Sequence, residues 1–534
     1  MVPNNSSGSI ISGNLLKDLK SGFLVFLIAL PLCLGIAVAS GFPPVAGVLT
    51  AIVGGIVVSF LGSAELTIKG PAAGLIVIAA GAVYELGQGD PIAGYKRALA
   101  VGVIAALIQI GFALIRTATV GIAMSPSVVH GMLAAIGVII ISGQIHTVFG
   151  VVPAAGEPLE RLAEIPHSIM HANPEILLIG GVSLLILFAW PFLRFSWAKA
   201  MPAPLVVLLV AIPLDLVFGL ANSHEYKMLG QTFSVGPEYL VALPGSLLDA
   251  VNFPDFSMIT SLVSVKYIVM YALIGTIEST LSVLAVDSMD PEKKPSDLNK
   301  DLLAVGVGNL ICAGIGGLPM ISEIVRSKAN VDAGAESRKS NFFHGAFLLS
   351  FVALVPGLLQ MIPLAALAAM LVYTGARLAS PTEFIHARSV GNDQFALFMT
   401  TFVVTLATDL LVGVGVGLAL KIILHWVRGV SPATLVSTKV DAVYETDEEL
   451  TLRISGVAAF TSLLAVRKRL GAIGPEVKRV VVDISDAKLA DHTFLSRLDS
   501  MGAELADVDF VVEGLDSMAP ATDHPHSTRT RHAA

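Results

Sequence analysis

Charge is what this chain has least of. Of its 534 residues only 14% are Asp, Glu, Lys or Arg, against about 25% in a soluble globular domain. With 54% hydrophobic residues and a mean hydropathy of +0.79, the apolar content exceeds what one water-soluble core can use at this length. Lipid is therefore the expected solvent for most of the chain. Cysteine is scarce too. The two present, Cys33 and Cys312, sit inside apolar runs. That excludes a disulfide framework and a cysteine metal site and leaves packing as their role. Also lacking are a phosphate-binding Gly-Lys-Ser/Thr loop, a paired-histidine zinc motif and a nucleophile elbow. Neither an enzyme nor an ATP-driven pump is expected, and no cofactor. The net charge of −8 says little about partners, because the charge is concentrated in loops and the C-terminal segment; no nucleic-acid partner is expected. No cleavable signal peptide is evident, since Met1 to Lys20 is polar and the first apolar run lacks a small-residue cleavage site.

Long apolar runs are what the chain has in excess. A membrane-crossing helix takes about 20 residues, and that length picks out spans at 21–40, 43–62, 70–84, 97–115, 125–145, 175–194 and 201–220. A second set follows at 262–287, 300–316, 320–332, 342–361, 363–379, 393–408 and 411–428. The expected fold is an α-helical polytopic membrane protein of about fourteen spans. Two segments are too short or too polar to cross as continuous helices: 70–84, opening at Gly70-Pro71, and 320–332, opening after Gly316-Gly317-Leu318-Pro319. Both occupy the third position of their half. Interrupted segments at matching positions point to inverted repeats with a binding site between them, and seven spans per half would invert the second repeat. Charges agree with cytoplasmic termini. Lys17 and Lys20 precede the first span, and the outer loop 146–174 carries Glu157, Glu160 and Glu164; Lys96 and Arg97 are the exception.

The boundaries read as a cytoplasmic N-terminal segment 1–20, a first transmembrane repeat 21–220, an inter-repeat loop 221–261 and a second repeat 262–428. Composition changes after Arg428, and 438–516 reads as a small soluble α/β module with strands at 450–457, 477–484 and 509–512 and helices ending at Leu470 and Leu505. The last stretch, 519–534, has no apolar period and reads as a disordered tail.

Chemistry is expected at the interrupted spans. A helix N-terminus carries unpaired N–H groups and a partial positive charge, so two half-helices meeting near the bilayer midplane would cradle an anion. Gly70, Pro71, Ala72 and Ala73 would supply one side, Ser322, Glu323 and Ile324 the other. Arg326, one turn into the second half-helix, either complements the anion or pairs locally with Glu323. Glu278 is the sharpest single residue. A carboxylate well inside a span normally faces the bundle interior or a wet cavity. Gly275, Ser279 and Ser282 share its helix face, a stripe suited to binding Na⁺ through oxygens or to carrying a proton. Lys69 reads as an interfacial lysine whose stem snorkels, Asp409 as a helix cap, and His130 and His344 as packing residues.

These motifs resemble the SulP family of anion transporters along nearly the whole chain. The resemblance rests on the run from Pro31 to Pro44, on Gly70-Pro71, on Ile277-Glu278-Ser279, and on Gly316 to Pro319 followed by Arg326-Ser327. It implies seven-plus-seven inverted repeats forming core and gate domains, a C-terminal STAS domain, a homodimer, and transport of sulfate, bicarbonate, chloride or dicarboxylates. The nearest branch is the sodium-dependent bicarbonate carriers. There, Glu278 and Ser282 fall on sodium ligands, 322–324 on the lining of the same site, and Arg326 on the family's basic residue. Two departures stand out. Glu323 occupies a position that is small in relatives, and Ile324 stands where the bicarbonate branch has a sodium-ligating hydroxyl. The soluble module resembles a shortened STAS domain, with Val481 to Ser485 as its central strand. Thr493 stands in the loop that relatives phosphorylate, which makes it a candidate regulatory residue. The implied activity is Na⁺- or H⁺-coupled symport of a small inorganic anion across the inner (plasma) membrane, with bicarbonate first and sulfate next. An exchanger or channel, or a membrane anion sensor acting through the STAS-like module, are the alternatives.

Overall fold

A computed structural model describes residues 7–531, apart from 119, 120, 122, 123, 154, 155, 196–200, 229, 245–248, 293, 437, 475, 506 and 507. Residues 1–6 of the N-terminal segment and 532–534 of the tail thus lie outside the described residues. The chain divides into two compact units. One comprises Met1–Arg116, Ile136–Met289 and Ser296–Leu378; the other comprises Thr117–Ala135, Asp290–Pro295 and Ala379–Ala534.

The first unit is a bundle of apolar helices. Its first half holds α1 (Ser7–Ala39), α2 (Pro44–Val53), β1 (Ile68–Pro71), α3 (Ile76–Gly87) and α4 (Pro91–Leu114). Next come α5 (Pro126–Val148), which contributes to both units, α6 (Pro158–Met170), α7 (Pro174–Ala189) and α8 (Ala203–Phe218). A hairpin of β2 (His224–Met228) and β3 (Gln231–Val235) follows in the inter-repeat loop. The second half repeats the order: α9 (Leu262–Met289), α10 (Leu298–Ile315), β4 (Met320–Glu323), α11 (Ile324–Asp332), α12 (Lys339–Leu354) and α13 (Leu364–Leu378). Nine helices among the described residues are long and apolar enough to cross a membrane, and two shorter apolar ones, Ala73–Gly87 and Ala203–Phe218, accompany them.

Small residues let these helices approach closely, which lipid-embedded packing requires. A Cβ added at Gly55 would lie 2.6 Å from the Gly345 Cα, and one at Gly345 would lie 2.8 Å from the Gly55 Cα. The helix after α2 widens into a π-turn over Gly54–Val58, and β1 packs there: a Cβ at Gly54 would meet the Lys69 carbonyl at 2.6 Å. From Ser7 onward the N-terminal segment is the start of α1, and its buried Asp18 accepts from the amides of Glu336 and Ser337 at 2.9 and 3.0 Å.

The second unit contains α14 (Pro381–Val390), α15 (Asn392–Ala407) and α16 (Leu410–Val427), with Asp409 capping the last through the Val412 amide at 2.9 Å. The C-terminal module adds β5 (Lys439–Thr446), β6 (Glu449–Ala458), α17 (Phe460–Leu470), β7 (Arg479–Asp483), β8 (Ala487–Ala490), α18 (His492–Glu504) and β9 (Asp509–Glu513). Parallel pairing of β6 with β7 and β8, and of β7 with β9, builds a sheet carrying both helices. The expectation of a disordered tail is overturned. Ala519–Pro520 and Arg529–Thr530 form β10 and β11, and β11 pairs with β8. Thr528 donates to Asp393 at 2.8 Å, and Thr522 to the Val390 carbonyl at 2.8 Å. Polar side chains with no apolar period order this stretch by pairing with an existing sheet edge and capping neighbouring helix ends, which a periodicity test does not register.

Candidate functional site

The Gly-Pro and Leu-Pro breaks make two short strands instead of helix. Each leads directly into a half-helix: β1 into the turn Ala73–Leu75 and α3, β4 into α11. The strands pair antiparallel, with Ile68 opposite Glu323, Lys69 opposite Ser322, Gly70 opposite Ile321 and Pro71 opposite Met320. Antiparallel pairing sets the half-helices off in opposite directions from a shared centre. Non-helical backbone at membrane depth must find partners inside the protein, and side chains supply them. Asn309 accepts from the Met320 amide at 2.6 Å and donates to its carbonyl at 3.1 Å, as a third strand would. Thr50 does the same for Leu318, at 2.7 and 3.0 Å. Ser327 accepts from the Ile68 amide at 2.8 Å, and Ser279 from the Ser322 amide at 3.2 Å.

Charge gathers around this crossing. Glu278, buried on α9, lies against the first turn of the α3 half-helix; a Cβ at Gly74 would fall within its carboxylate. Its Oε1 is buried without a hydrogen-bond partner among the described residues, and an orphaned carboxylate oxygen is costly unless a cation or proton visits it. Glu323 ends β4 opposite Ile68 and is buried at the start of the α11 half-helix. Arg326 is 1% exposed; it donates to the Pro71 carbonyl at 2.8 Å and lies 3.5 Å from the Cys33 sulfur. It thus ties α11 to β1 and α1. The local pairing with Glu323 does not form among the described residues, because the guanidinium is turned toward the strand.

Lys69 departs from expectation. It is not an interfacial lysine but a fully buried one, bound to both Asp301 carboxylate oxygens at 2.9 Å, to the Ser322 hydroxyl at 2.9 Å and to Thr67. All three ammonium donors are engaged, so it has no spare charge to lure an anion.

Gly70, Pro71, Ala72, Ala73, Ser322, Glu323, Ile324 and Arg326 therefore come together around the crossing, with Glu278 and Ser279 beside them. Ser282 is buried on the same helix but makes no side-chain hydrogen bond to this cluster among the described residues. Ile324 is 44% exposed and brings no oxygen. No group of three or more His, Cys, Asp or Glu among the described residues is arranged to hold a metal ion. Four contributors were missed by sequence reasoning: Thr50, Gly74, Asp301 and Asn309. Asp301 sits beside Lys300 at a span start, where a carboxylate reads as interfacial; its partner is 232 residues away. A small cavity adjoins the α3 turn, lined by Leu75, Gln109, Tyr271, Asn309 and Pro319. In the second unit, Thr493 is buried and accepts from Lys421 at 2.6 Å, while Asp491 pairs with the same ammonium at 3.0 Å.

Paired half-helix N-termini inside an apolar bundle, next to a buried acid, define a polytopic membrane transporter, not an enzyme. A family model described as the Sulfate permease family matches residues 15–401, and the chain belongs to that family, whose members transport anions. It is 24% identical over 491 residues to the bicarbonate transporter BicA of Synechocystis, covering 89% of this chain and 83% of that protein. It is 26% identical over 425 residues to YvdB of Bacillus subtilis, provisionally named a sulfate transporter, covering 79% and 75%. Among solved structures, the transmembrane domain of a cyanobacterial BicA matches with a TM-score of 0.63 at 23% identity, covering 75% of this chain and 97% of that one. The overall structure of SLC26A9 matches with a TM-score of 0.64 at 14% identity, covering 94% and 84%. The fold is shared with both, and the second match, over 94% of the chain, extends beyond the membrane helices.

Proposed function

We propose that this anion transporter is a cation-coupled symporter for a small inorganic anion, with bicarbonate the first candidate and sulfate the second. The observation that carries the reading is the meeting of two half-helix N-termini at the β1–β4 crossing, with the orphaned Glu278 carboxylate against one of them. The anion sits on the amides at the starts of the half-helices, where the helix ends carry partial positive charge. Glu278 takes up the driving cation, Na⁺ or H⁺, which offsets the anion's charge. Na⁺ would rest on Glu278 with Ser279 beside it; the hydroxyl of Ser282 and the hydrocarbon of Ile324 add little to a plain sodium cage, which leaves H⁺ as the stronger rival. An elevator-like shift of core helices against gate helices exposes the site to either side. We place the protein in the plasma membrane with both termini cytoplasmic, as a homodimer.

The deciding experiment is uptake of labelled bicarbonate and of labelled sulfate into proteoliposomes, each under an imposed Na⁺ or pH gradient. Gradient-driven accumulation is expected for wild type and not for Glu278→Gln. Wild-type rates in that variant would reject the role of Glu278. A second reading, an anion sensor signalling through the STAS-like domain, is favoured by the buried tie of Lys421 on the last span to Asp491 and Thr493 of that domain. Binding without accumulation in the same vesicles would select it.

A further inference from the structure

We infer that residues 519–531 are a releasable strap that fastens the STAS-like domain to helices α14, α15 and α16, with Asp393 as its anchor. The inference goes beyond the carrier reading and does not depend on which anion or cation is moved.

The stretch is rich in Thr, His and Arg, and its apolar residues, Ala519, Pro520, Ala521 and Pro525, are exposed. It therefore holds on by hydrogen bonds, and it makes them on two sides. On the domain side, Arg529 and Thr530 pair with Ala490 and Leu489 of β8, and the Arg531 amide donates to the Lys488 carbonyl at 2.9 Å. The His526 carbonyl accepts from His492 Nδ1 at 2.9 Å. With β6 on its other side, β8 would be an open sheet edge without the strap.

On the helix side, Thr522 donates to the Val390 carbonyl at the end of α14, and Thr528 to Asp393 in the first turn of α15, both at 2.8 Å. The same Asp393 oxygen receives Arg428, the residue after α16, at 2.9 Å and Gln394 at 3.0 Å. Gln394 in turn accepts from Ser127 at the start of α5 at 2.8 Å. Thr528 is 2% and Asp393 8% exposed, so a hydroxyl meets a carboxylate away from water, where such a bond is strong. Between its two sides the strap folds back on itself. The Ala521 amide donates to the Thr528 carbonyl, and the Ser527 hydroxyl to the Thr522 carbonyl, each at 2.9 Å. It is thus seated or released as one piece.

Release is built in, because strands of two residues with no buried apolar side chain open at low cost. Seated, the strap makes one body of the domain and the three helices. Released, it frees the β8 edge and Asp393, and the ties of Lys421 to Asp491 and Thr493 remain.

The test uses the full chain in lipid nanodiscs. Both native cysteines are buried, so introduced thiols are labelled selectively. Ser527→Cys replaces a fully buried side chain, and its rate of reaction with a polar maleimide reads release. Spin labels on Ser389→Cys and Ser500→Cys, exposed positions of α14 and α18, read the helix-to-domain distance in labelled chain diluted with unlabelled. Thr528→Asp sets a second carboxylate against Asp393. It is expected to speed maleimide labelling at least about tenfold, the worth of one charge-assisted hydrogen bond, and to broaden the distance distribution. Thr528→Ser keeps the hydroxyl and is expected to leave both readings at wild type. Deletion from Ala519 onward is expected to broaden the distance further. Labelling of Ser527→Cys at the rate of an exposed thiol without Thr528→Asp, or a rate that Thr528→Asp does not change, overturns the inference. So does a distance that stays narrow after the deletion.

Discussion

Lys69 and Asp301 offer the clearest energetic test of how the crossing is held together. Both side chains are 2% exposed, and the ammonium lies 2.9 Å from each carboxylate oxygen. The pair joins β1 to α10, and through the Ser322 hydroxyl to β4. Replacing Asp301 by Ala strands an ammonium with only hydroxyl partners at membrane depth. Removing one partner of a buried pair costs about 3–5 kcal/mol, whereas exchanging both for apolar residues of similar volume is often neutral or stabilising. Asp301→Ala and Lys69→Ala are each expected to destabilise by that amount. The double replacement Lys69→Met with Asp301→Leu is expected to recover most of it, less the hydrogen bonds lost at Thr67 and Ser322. The assay is reversible unfolding of the purified full chain in mixed micelles, read as a double-mutant cycle. Single variants within about 0.5 kcal/mol of wild type, or a double variant as damaged as the sum of the singles, would refute the argument.

Two further outcomes follow from particular contacts. Gly74→Ala puts a methyl group into the Glu278 carboxylate; the chain is expected to fold and reach the membrane, while coupled uptake falls at least about tenfold, in keeping with a misplaced reacting group. In the STAS-like domain, burial lowers the His492 pKa from the usual 6.5 to about 4, against opposing contributions from the His526 carbonyl and Asp491. A depressed histidine stabilises the fold while neutral, so its contribution is complete above pH 6.5 and is lost as pH falls toward 4, about 3 kcal/mol in all. Hydrogen-exchange protection factors of the helix at 492–504, corrected for the intrinsic pH dependence of amide exchange, are expected to fall across that window in wild type and to change much less in His492→Asn; equal loss of protection in both would refute it.

The interrupted spans and the buried acid were legible because their signals are local. Gly70-Pro71 and Gly316-Gly317-Leu318-Pro319 join glycine to proline, which disfavours continued helix more than a lone proline such as Pro31 inside α1 does, and Glu278 is conspicuous against the apolar residues around it. What escaped reading was pairing over long separations. Lys69 reads as an interfacial lysine until Asp301 is placed beside it. Asn309 reads as one polar residue in a span until it is seen standing in for a strand edge at Met320. Gly74 is one small residue among several, and only the approach of Glu278 shows why a side chain there is excluded. The tail failed for a related reason. Strands of two residues, such as Arg529–Thr530, exist only because β8 is there to pair with. In the STAS-like domain, by contrast, the apolar runs at Val480–Val482 and Val511–Val512 announce strands that are present.

The central claim is that an anion rests between the two half-helix N-termini. It is tested most directly by locating a heavy anion, bromide or selenate, by its anomalous scattering in crystals of the full chain. Bromide is expected within hydrogen-bonding distance of the amides at Ala73 and Ile324, beside Glu278. An anion ordered elsewhere in the membrane bundle, with the β1–β4 crossing left without one at saturating bromide, would contradict the account.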